Sequence, residues 1–229
     1  MKYEAVIFDL FGTLVDVFSV SEYDDVLKNI ASALRVPYDN FRPVWDETAR
    51  DRSLGNIPTS RANLENVYHK LGIPTDNEKI ELAAKIRHEF FEIAMKPRSD
   101  ALDVLSQLRS KGIKLGLISN CAPATTEVWS DTPFQPLFDV TAFSCSVGLR
   151  KPDPRIYKLV MEQLVVKPEN CLYIGDGSGN ELTGAEEMGM QPVMIRVDYE
   201  DDAGSVIADR QEWDGPMISS LTEVLNLVE

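Results

Sequence analysis

AVIFDLFGTLVD, residues 5–16, is the stretch that decides the fold. Its apolar run at residues 6–8 is too short and too β-branched for a helix, so it predicts a buried strand that ends at Asp9. Ligands of open α/β sheets bind at the carboxyl ends of the strands. A carboxylate there can act as a nucleophile or a metal ligand, or it can simply cap the next turn. Gly12 lets the backbone fold back and bring N–H groups close to an anion.

The pattern along the rest of the chain changes twice. Residues 19–95 show only helical periodicity, whereas strands and helices alternate from residue 97 onward. The predicted later elements are strands at 113–118, 138–143, 171–174 and 192–196, and a last helix at 219–228. Such alternation predicts an α/β fold with a parallel sheet covered on both faces. We expect residues 1–15 and 97–229 to form this core, with residues 16–96 inserted as an all-helical cap over its carboxyl edge.

Composition excludes some classes of partner. The chain has 229 residues, of which 44% are hydrophobic, which is enough for a packed core. Its formal net charge of −14 argues against binding to nucleic acid or to anionic membranes, and no apolar run reaches membrane-spanning length. Three cysteines without metal-type spacing, and the lack of a signal-peptide pattern, favour a reducing cytoplasm. The sequence indicates no oligomeric state.

Polar side chains follow several predicted strands or lie close to their ends. They are Asp9, Ser119, Asn120, Lys151, Asp176, Asn180 and Glu181. Acids can hold Mg²⁺, a lysine and a hydroxyl can neutralise and position phosphate oxygens, and an acid free of strong pairing can attack phosphorus. Taken singly, Ser119 could cap a helix, Lys151 could lie on the surface and Asp176 could belong to a turn. Their shared placement at strand ends favours a site for phosphoryl transfer.

Four ordered motifs carry a resemblance to a known family. They are DLFGT at 9–13, LISN at 117–120, KPDP at 151–154, and Gly175-Asp176 followed by Asn180-Glu181. Together they resemble the haloacid dehalogenase-like (HAD) hydrolase superfamily over essentially the whole chain, and the helical insertion looks like the first type of cap in that superfamily. The resemblance implies a Rossmann-like core and hydrolysis of a small-molecule substrate through an aspartyl intermediate.

The resemblance also implies a role for each candidate residue. Asp9 would be the covalent nucleophile, and Ser119, Lys151 and Asp176 would act with it. Mg²⁺ would be held by Asp9, Asp176 and the backbone carbonyl of Phe11, with Asn180 and Glu181 supporting these ligands. The residues expected to bind the phosphate are Gly12, Thr13, Ser119, Asn120 and Lys151.

Phe11 departs from the pattern of the phosphatases in this superfamily. They usually carry a second aspartate two residues after the nucleophile as general acid and base, and a phenyl ring cannot transfer a proton. General acid–base catalysis is commonly worth about 10²–10⁴ in rate. Glu181 is a smaller departure, because it replaces a more frequent aspartate.

Three functions remain open: a metal-dependent phosphatase, a 2-haloacid dehalogenase, and a non-catalytic or weakly active binding protein. Haloacid dehalogenases also have an aromatic residue at the position of Phe11 and need no metal. They carry Ser-Asn-type residues in place of Gly175-Asp176 and an arginine where Asp46 follows Trp45, for which Arg42, Arg50 or Arg52 could substitute. Phosphonate hydrolases also lack the second acid, but they use a cap lysine, and Arg50 as the nearest counterpart argues against them.

The acids favour a phosphatase over these alternatives. Without a metal, the carboxylates of Asp9, Asp176 and Glu181 would crowd like charges at one edge of the sheet. We therefore predict a Mg²⁺-dependent phosphatase acting on a small phosphorylated metabolite. Six aromatic and charged residues of the cap are candidates to recognise its substrate: Phe18, Tyr23, Trp45, Arg50, Arg52 and Arg61.

Overall fold

The computed structural model of the protein describes residues 2–196 and 211–229. Its central strand is β1 (Ala5–Phe8), which is buried along its whole length. The later strands are β2 (Lys114–Ser119), β3 (Val140–Phe143), β4 (Cys171–Gly175), β5 (Gln191–Ile195) and β6 (Met217–Ile218). Among the described residues they form one sheet in the order β3-β2-β1-β4-β5-β6, and all neighbours are parallel. The predicted α/β fold class is confirmed.

The segment after β1 is helical, as predicted. Its helices are α1 (Val20–Leu34), α2 (Tyr38–Glu47), α3 (Ala49–Ser53), α4 (Ser60–Leu71) and α5 (Asn77–Ala94), and we call this block, residues 20–94, the cap. Ser19 begins α1 with a capping box, in which its hydroxyl accepts from the Glu22 N–H and the Glu22 carboxylate accepts from the Ser19 N–H. Gly72, in the left-handed conformation, ends α4.

The cap has an apolar core of its own. Each of its longer helices contributes one buried face, as their three-to-four-residue spacing requires. The fully or nearly fully buried members are Leu27, Ile30, Leu34, Phe41, Trp45, Leu64, Val67, Tyr68, Ile80 and Ala83. The Tyr68 hydroxyl, inside this core, donates to the Leu34 carbonyl at 2.9 Å. The cap therefore does not depend on the sheet for most of its apolar burial.

The remaining helices cover both faces of the sheet. They are α6 (Ala101–Ser110), α7 (Pro123–Trp129), α8 (Ser144–Val147), α9 (Pro154–Leu164), α10 (Glu181–Glu187) and α11 (Val224–Leu227). Because side chains alternate along a strand, Val6 and Phe8 join one apolar cluster with Leu105 of α6, whereas Ile7 joins another with Val160 of α9. No described helix combines the length and apolar character needed to cross a bilayer.

The chain passes between the sheet and the cap twice, and the two connecting segments lie side by side. Val15 and Pro97 form an isolated antiparallel bridge, and the Arg98 N–H donates to the Leu14 carbonyl at 2.9 Å. The buried guanidinium of Arg98 donates from Nε to Asp16 Oδ1 at 3.0 Å. We propose that the chain divides into core and cap at this point, as the sequence analysis expects.

Some predicted boundaries were wrong, and contacts between distant segments explain the clearest case. The helix predicted at 219–228 is replaced by a 3-10 turn at Leu221–Glu223 and the short α11, which follow the short strand β6. The Asp100 carboxylate, which precedes α6, accepts from the Ser220 hydroxyl and the Leu221 N–H, both at 2.9 Å. These bonds fix the start of the C-terminal segment from outside it. Residues 197–210 of the predicted core lie outside the described residues.

Replacing Ile30 by alanine tests whether the cap is a folding unit. Ile30 is fully buried in the cap core, so Ile30→Ala should lower the free energy of unfolding by about 2–5 kcal/mol. Hydrogen exchange should accelerate mainly in the cap helices and much less in β1, β2 and β4. Leu82→Ala is the control, because Leu82 is exposed on α5. Equal acceleration in the sheet would contradict a separate unit.

Candidate active site

Three strand ends place buried polar residues side by side at one edge of the sheet. Asp9 follows β1, Ser119 ends β2 and Asp176 follows β4. Because β1 pairs with both β2 and β4, these residues meet at the middle of the edge. The Asp9 N–H donates to the Ile174 carbonyl at 2.9 Å, which holds the turn after β1 against β4. All three polar residues are nearly inaccessible to water.

Lys151 lies between two carboxylates, those of Asp9 and Glu181, and forms a buried ion pair with each. Asn120 holds its backbone, because the side-chain amide accepts from the Lys151 N–H at 2.8 Å and donates to the Lys151 carbonyl at 3.1 Å. Burial alone would lower the pKa of Lys151, but the charges of Asp9 and Glu181 outweigh burial and raise that pKa above its usual range. Lys151 is therefore a fixed positive charge.

Glu181, the first residue of α10, is fully buried behind Lys151. Its carboxylate accepts from Lys151, from the Tyr173 hydroxyl at 2.8 Å and from the Gly177 N–H at 3.0 Å. Gly175 leaves room for it, because a Cβ there would lie 2.2 Å from Glu181 Oε1. Since both carboxylate oxygens are engaged, Glu181 is placed to orient Lys151 rather than to bind an ion.

The cluster of Asp9, Asp176, Glu181 and Lys151 places three acids around one ammonium. One oxygen of each acid lies within 4.8 Å of the others. Burial raises the pKa of Asp9 and Glu181; Lys151 opposes the rise and the neighbouring carboxylates add to it. A divalent cation would favour the ionised form of these acids, and oxygen donors suit Mg²⁺. The residues present therefore fit the predicted metal.

Gly12 and Thr13 pack against the two acids proposed as metal ligands. Gly12 has φ 82°, and a Cβ on it would lie 2.5 Å from Asp176 Oδ2. The buried Thr13 hydroxyl donates to Asp9 Oδ2 at 3.3 Å. Both residues therefore fix the acids, and their predicted contacts with phosphate stay predictions. Asn180 lies exposed at the start of α10, outside the buried cluster, so its supporting role also stays a prediction.

Ser119 contributes a buried hydroxyl that forms no regular hydrogen bond among the described residues and interacts there with the Cys121 thiol, a weak hydrogen-bonding group. Buried polar atoms in native proteins are nearly always hydrogen-bonded, and one left without a partner costs about 1–3 kcal/mol. A ligand oxygen bound beside Asp9 would satisfy this hydroxyl. The buried hydroxyl of Thr125, in the helix that follows Ser119, also forms no regular hydrogen bond among the described residues.

A cavity of about 790 Å³ separates these residues from the cap. Asp9 and Lys151 line it at the sheet edge. One wall is aromatic: the Phe11 ring packs edge-to-face against Phe18 and Phe91, with centroids 5.9 and 6.5 Å away. A pocket of this size suits a small molecule. The side chain of Phe11 thus gives the cavity an apolar wall between the charged cluster and the cap.

The cap side of the cavity holds two buried arginines, and the sequence analysis found only one. Arg52 and Arg87 are 6% and 2% exposed, and their guanidinium carbons lie 4.4 and 4.7 Å from the centroid of the Trp45 ring. Arg87 was missed because an arginine in a helix ordinarily faces solvent. Its spacing was the available signal, since it falls on the same face of α5 as the buried Ala83 and Phe91.

A model of the haloacid dehalogenase-like hydrolase family matches residues 3–189, most of the chain. The chain belongs to this family. The predicted membership is thereby confirmed, and with it the assignment of the protein as a hydrolase.

Known HAD proteins resemble this chain at low identity. A glyceraldehyde 3-phosphate phosphatase of Methanopyrus kandleri is 30% identical over 57% of this chain, and the match spans only 56% of that relative. A HAD family enzyme of Bacteroides thetaiotaomicron, solved with magnesium and inorganic phosphate, has a TM-score of 0.63 at 19% identity over 93% of this chain and 98% of its own. An L-2-haloacid dehalogenase has a TM-score of 0.59 at 20% identity over 100% and 99%. At these identities the two structures show the fold alone.

Gly12→Ala tests the fit between the first turn and Asp176. The new methyl group would collide with the Asp176 carboxylate, and displacing a reacting group by about 1 Å can cost ~10²-fold in rate. Gly112→Ala is the matched control, because Gly112 has φ 79° but a methyl group there would meet nothing within 4 Å. Both variants should lose about 1–2 kcal/mol of stability from the left-handed backbone. Only Gly12→Ala should lose activity; equal kcat/KM in the two variants would contradict this placement.

Proposed function

We propose that this HAD hydrolase is a Mg²⁺-dependent phosphatase that cleaves a small phosphomonoester through a phosphorylated Asp9. The observation that carries the proposal is the buried cluster of three carboxylates and Lys151 beside the buried hydroxyl of Ser119. Three crowded acids, two of them with raised pKa values, favour a bound cation, and the Ser119 hydroxyl can donate to an acceptor such as a phosphate oxygen. The phosphatase name of the Methanopyrus relative supports the same class of reaction.

Each step can be assigned to residues of the cluster. The Asp9 carboxylate attacks phosphorus, so a bond from its oxygen to phosphorus forms as the ester P–O bond breaks, and the electron pair leaves with the alcohol oxygen, which takes its proton from water. Lys151 and Ser119 bind the phosphoryl oxygens and neutralise charge that develops on them. Water then displaces the phosphoryl group, which releases inorganic phosphate and regenerates Asp9. Mg²⁺, held by Asp9, Asp176 and the Phe11 carbonyl, would supply electrostatic stabilisation of the phosphoryl group.

A 2-haloacid dehalogenase is the second candidate, and the aromatic wall is the observation that favours it. Phe11 offers no proton to a leaving alcohol, whereas a departing halide needs none. The buried carboxylate of Asp176 beside Asp9 weighs against this function, because attack on carbon needs no metal and a second acid next to the nucleophile would then have no metal to bind. The two functions differ in metal dependence and can be separated directly.

A substrate panel with and without metal tests the proposal. Phosphomonoesters should be hydrolysed only with Mg²⁺, and 2-haloacids should not react. Asp9→Asn should abolish turnover while the melting temperature shows that the fold is kept, because the amide is a far weaker nucleophile. Asp103→Asn, at an exposed position on α6, is the control. Full phosphatase activity in excess chelator would contradict the Mg²⁺ dependence; haloacid turnover without phosphomonoester turnover would replace the phosphatase with the dehalogenase, and no turnover at all would favour a binding protein.

Phe11→Asp tests the missing acid. A carboxyl group there could protonate the leaving oxygen, so kcat/KM for an alkyl phosphate should rise, by up to about 10²-fold at the lower end of general-acid effects. An aryl phosphate should gain far less, because its leaving group departs unprotonated.

Phe11→Leu is the control for this change, since it alters packing against Phe18 and Phe91 without adding an acid. A lower melting temperature with no selective gain on the alkyl ester would mean that Phe11 only forms the apolar wall.

A further inference from the structure

The cap end of the cavity holds two buried arginines that form no direct ion pair among the described residues. Arg52 and Arg87 are both buried, both line the cavity and both lie over Trp45. Neither forms a salt bridge with any described residue. Buried arginines are ordinarily paired with acids, because an isolated charge in the interior is costly. The pair therefore differs from Arg61 on the cap surface, which is paired with Glu65 and Glu81.

Arg52 and Arg87 differ in how their donors are used. Arg52 donates to the Trp45 carbonyl and to the Thr48 hydroxyl, which anchors it within the cap. Arg87 stacks over Trp45 and Phe91, yet its Nε and one terminal nitrogen are buried with no hydrogen-bond partner among the described residues. Stacking stabilises the charge of a guanidinium but leaves its N–H groups unsatisfied. Two nitrogens of Arg87 are therefore able to donate hydrogen bonds to a ligand.

The electrostatic potential at the cap end of the cavity is positive. Burial alone would raise the pKa of the Tyr23 hydroxyl, but the charges of Arg87 and Arg52 outweigh burial and lower that pKa. For Arg52, burial and the neighbouring charge of Arg87 lower the pKa to about 10. The charges of Tyr23 and Asp46 oppose the fall in the pKa of Arg52 but do not reverse it. The Tyr23 hydroxyl, which accepts from Trp45 Nε1 at 3.2 Å, lies in the same cluster.

The aromatic wall connects this cluster to the nucleophile. Phe91 lies one helical turn after Arg87 on α5, and its ring packs against Phe11, two residues after Asp9. The cavity is therefore anionic and metal-binding in character at the sheet edge, apolar along this wall, and cationic at the cap. A ligand that fills it would present one phosphate to Asp9 and a second polar group to Arg87.

We infer that the substrate carries, besides the phosphate that is cleaved, a second anionic group, either a carboxylate or a phosphate, which binds to Arg87 with the support of Arg52. This inference rests on the proposed phosphatase function and adds a substrate class to it. The planar fork of Arg87 suits two oxygens of one anionic group, and bound in this way the anion would neutralise the cap cluster.

Matched substrates test the inference. 3-Phosphoglycerate and glycerol 3-phosphate differ only in a carboxylate against a hydroxymethyl group at the far end, and glycerol 1,3-bisphosphate places a phosphate there. The wild-type protein should prefer at least one doubly anionic ester by about tenfold or more in kcat/KM, mainly through KM, since one charge-assisted contact is commonly worth that much. A preference for 3-phosphoglycerate would identify the second group as a carboxylate, and a preference for glycerol 1,3-bisphosphate would identify it as a phosphate.

Variants of α5 assign the preference to Arg87. Arg87→Gln should bring the ratio of the two kcat/KM values close to one, and Arg87→Lys should keep part of it. Lys85→Gln, which removes an exposed positive charge two residues away, should leave it unchanged. A wild-type ratio near one, or an unchanged ratio in Arg87→Gln, would overturn the inference while hydrolysis of p-nitrophenyl phosphate still upholds the phosphatase.

Two further measurements keep the test decisive. If Arg87→Gln does not fold, inhibition of wild-type p-nitrophenyl phosphate hydrolysis by the same esters decides: equal inhibition constants for 3-phosphoglycerate, glycerol 1,3-bisphosphate and glycerol 3-phosphate would overturn the inference. If the wild type hydrolyses no phosphate ester, the proposed function fails. Calorimetry can then still compare the affinities of the wild type for the three esters. Equal affinities would overturn the inference whether or not the protein is a phosphatase.

Discussion

The pairing of Lys151 with two buried carboxylates is the interaction on which the rest of the site depends. Ions taken out of water destabilise a protein by several kcal/mol each unless they are paired and hydrogen-bonded. The chain must therefore deliver Lys151 to the same point as Asp9 and Glu181, which come from distant parts of the sequence. Asn120 clamps the backbone of Lys151, and Gly175 leaves the space that Glu181 fills. The edge of the sheet is thus organised around one positive charge.

Much of the fold could be predicted from the sequence, for a physical reason. The strands predicted at 113–118 and 171–174 coincide with β2 and β4 within a residue, because a strand covered on both faces is apolar at nearly every position. The C-terminal helix begins two residues later than predicted, at a capping box between Ser220 and Glu223, and Ser220 and Leu221 also donate to Asp100, about 120 residues earlier. Local patterns do not record such contacts.

In the candidate site, too, the positions of some residues could be predicted from the sequence, whereas the contacts of others could not. Positions after strands, such as Asp9 and Asp176, follow from the topology of a parallel sheet. The partners of their neighbours do not: Asn120 binds the backbone of Lys151, a contact that the sequence did not indicate, and its expected contact with phosphate stays a prediction. Arg87 is the most instructive omission, because a guanidinium on an apolar helix face becomes visible only once the opposite side of that face is known to be a cavity.

The adjacent connecting segments at Val15 and Pro97 have a consequence for how such proteins diversify. An inserted segment whose ends are already bonded together imposes little additional loop-closure entropy on the domain that carries it, whatever its length. The sheet and its charged edge can therefore accept a different insertion at the same point without rearrangement. Selection can change which molecules enter the cavity by altering the insertion, while the residues that perform the chemistry stay where the strands put them.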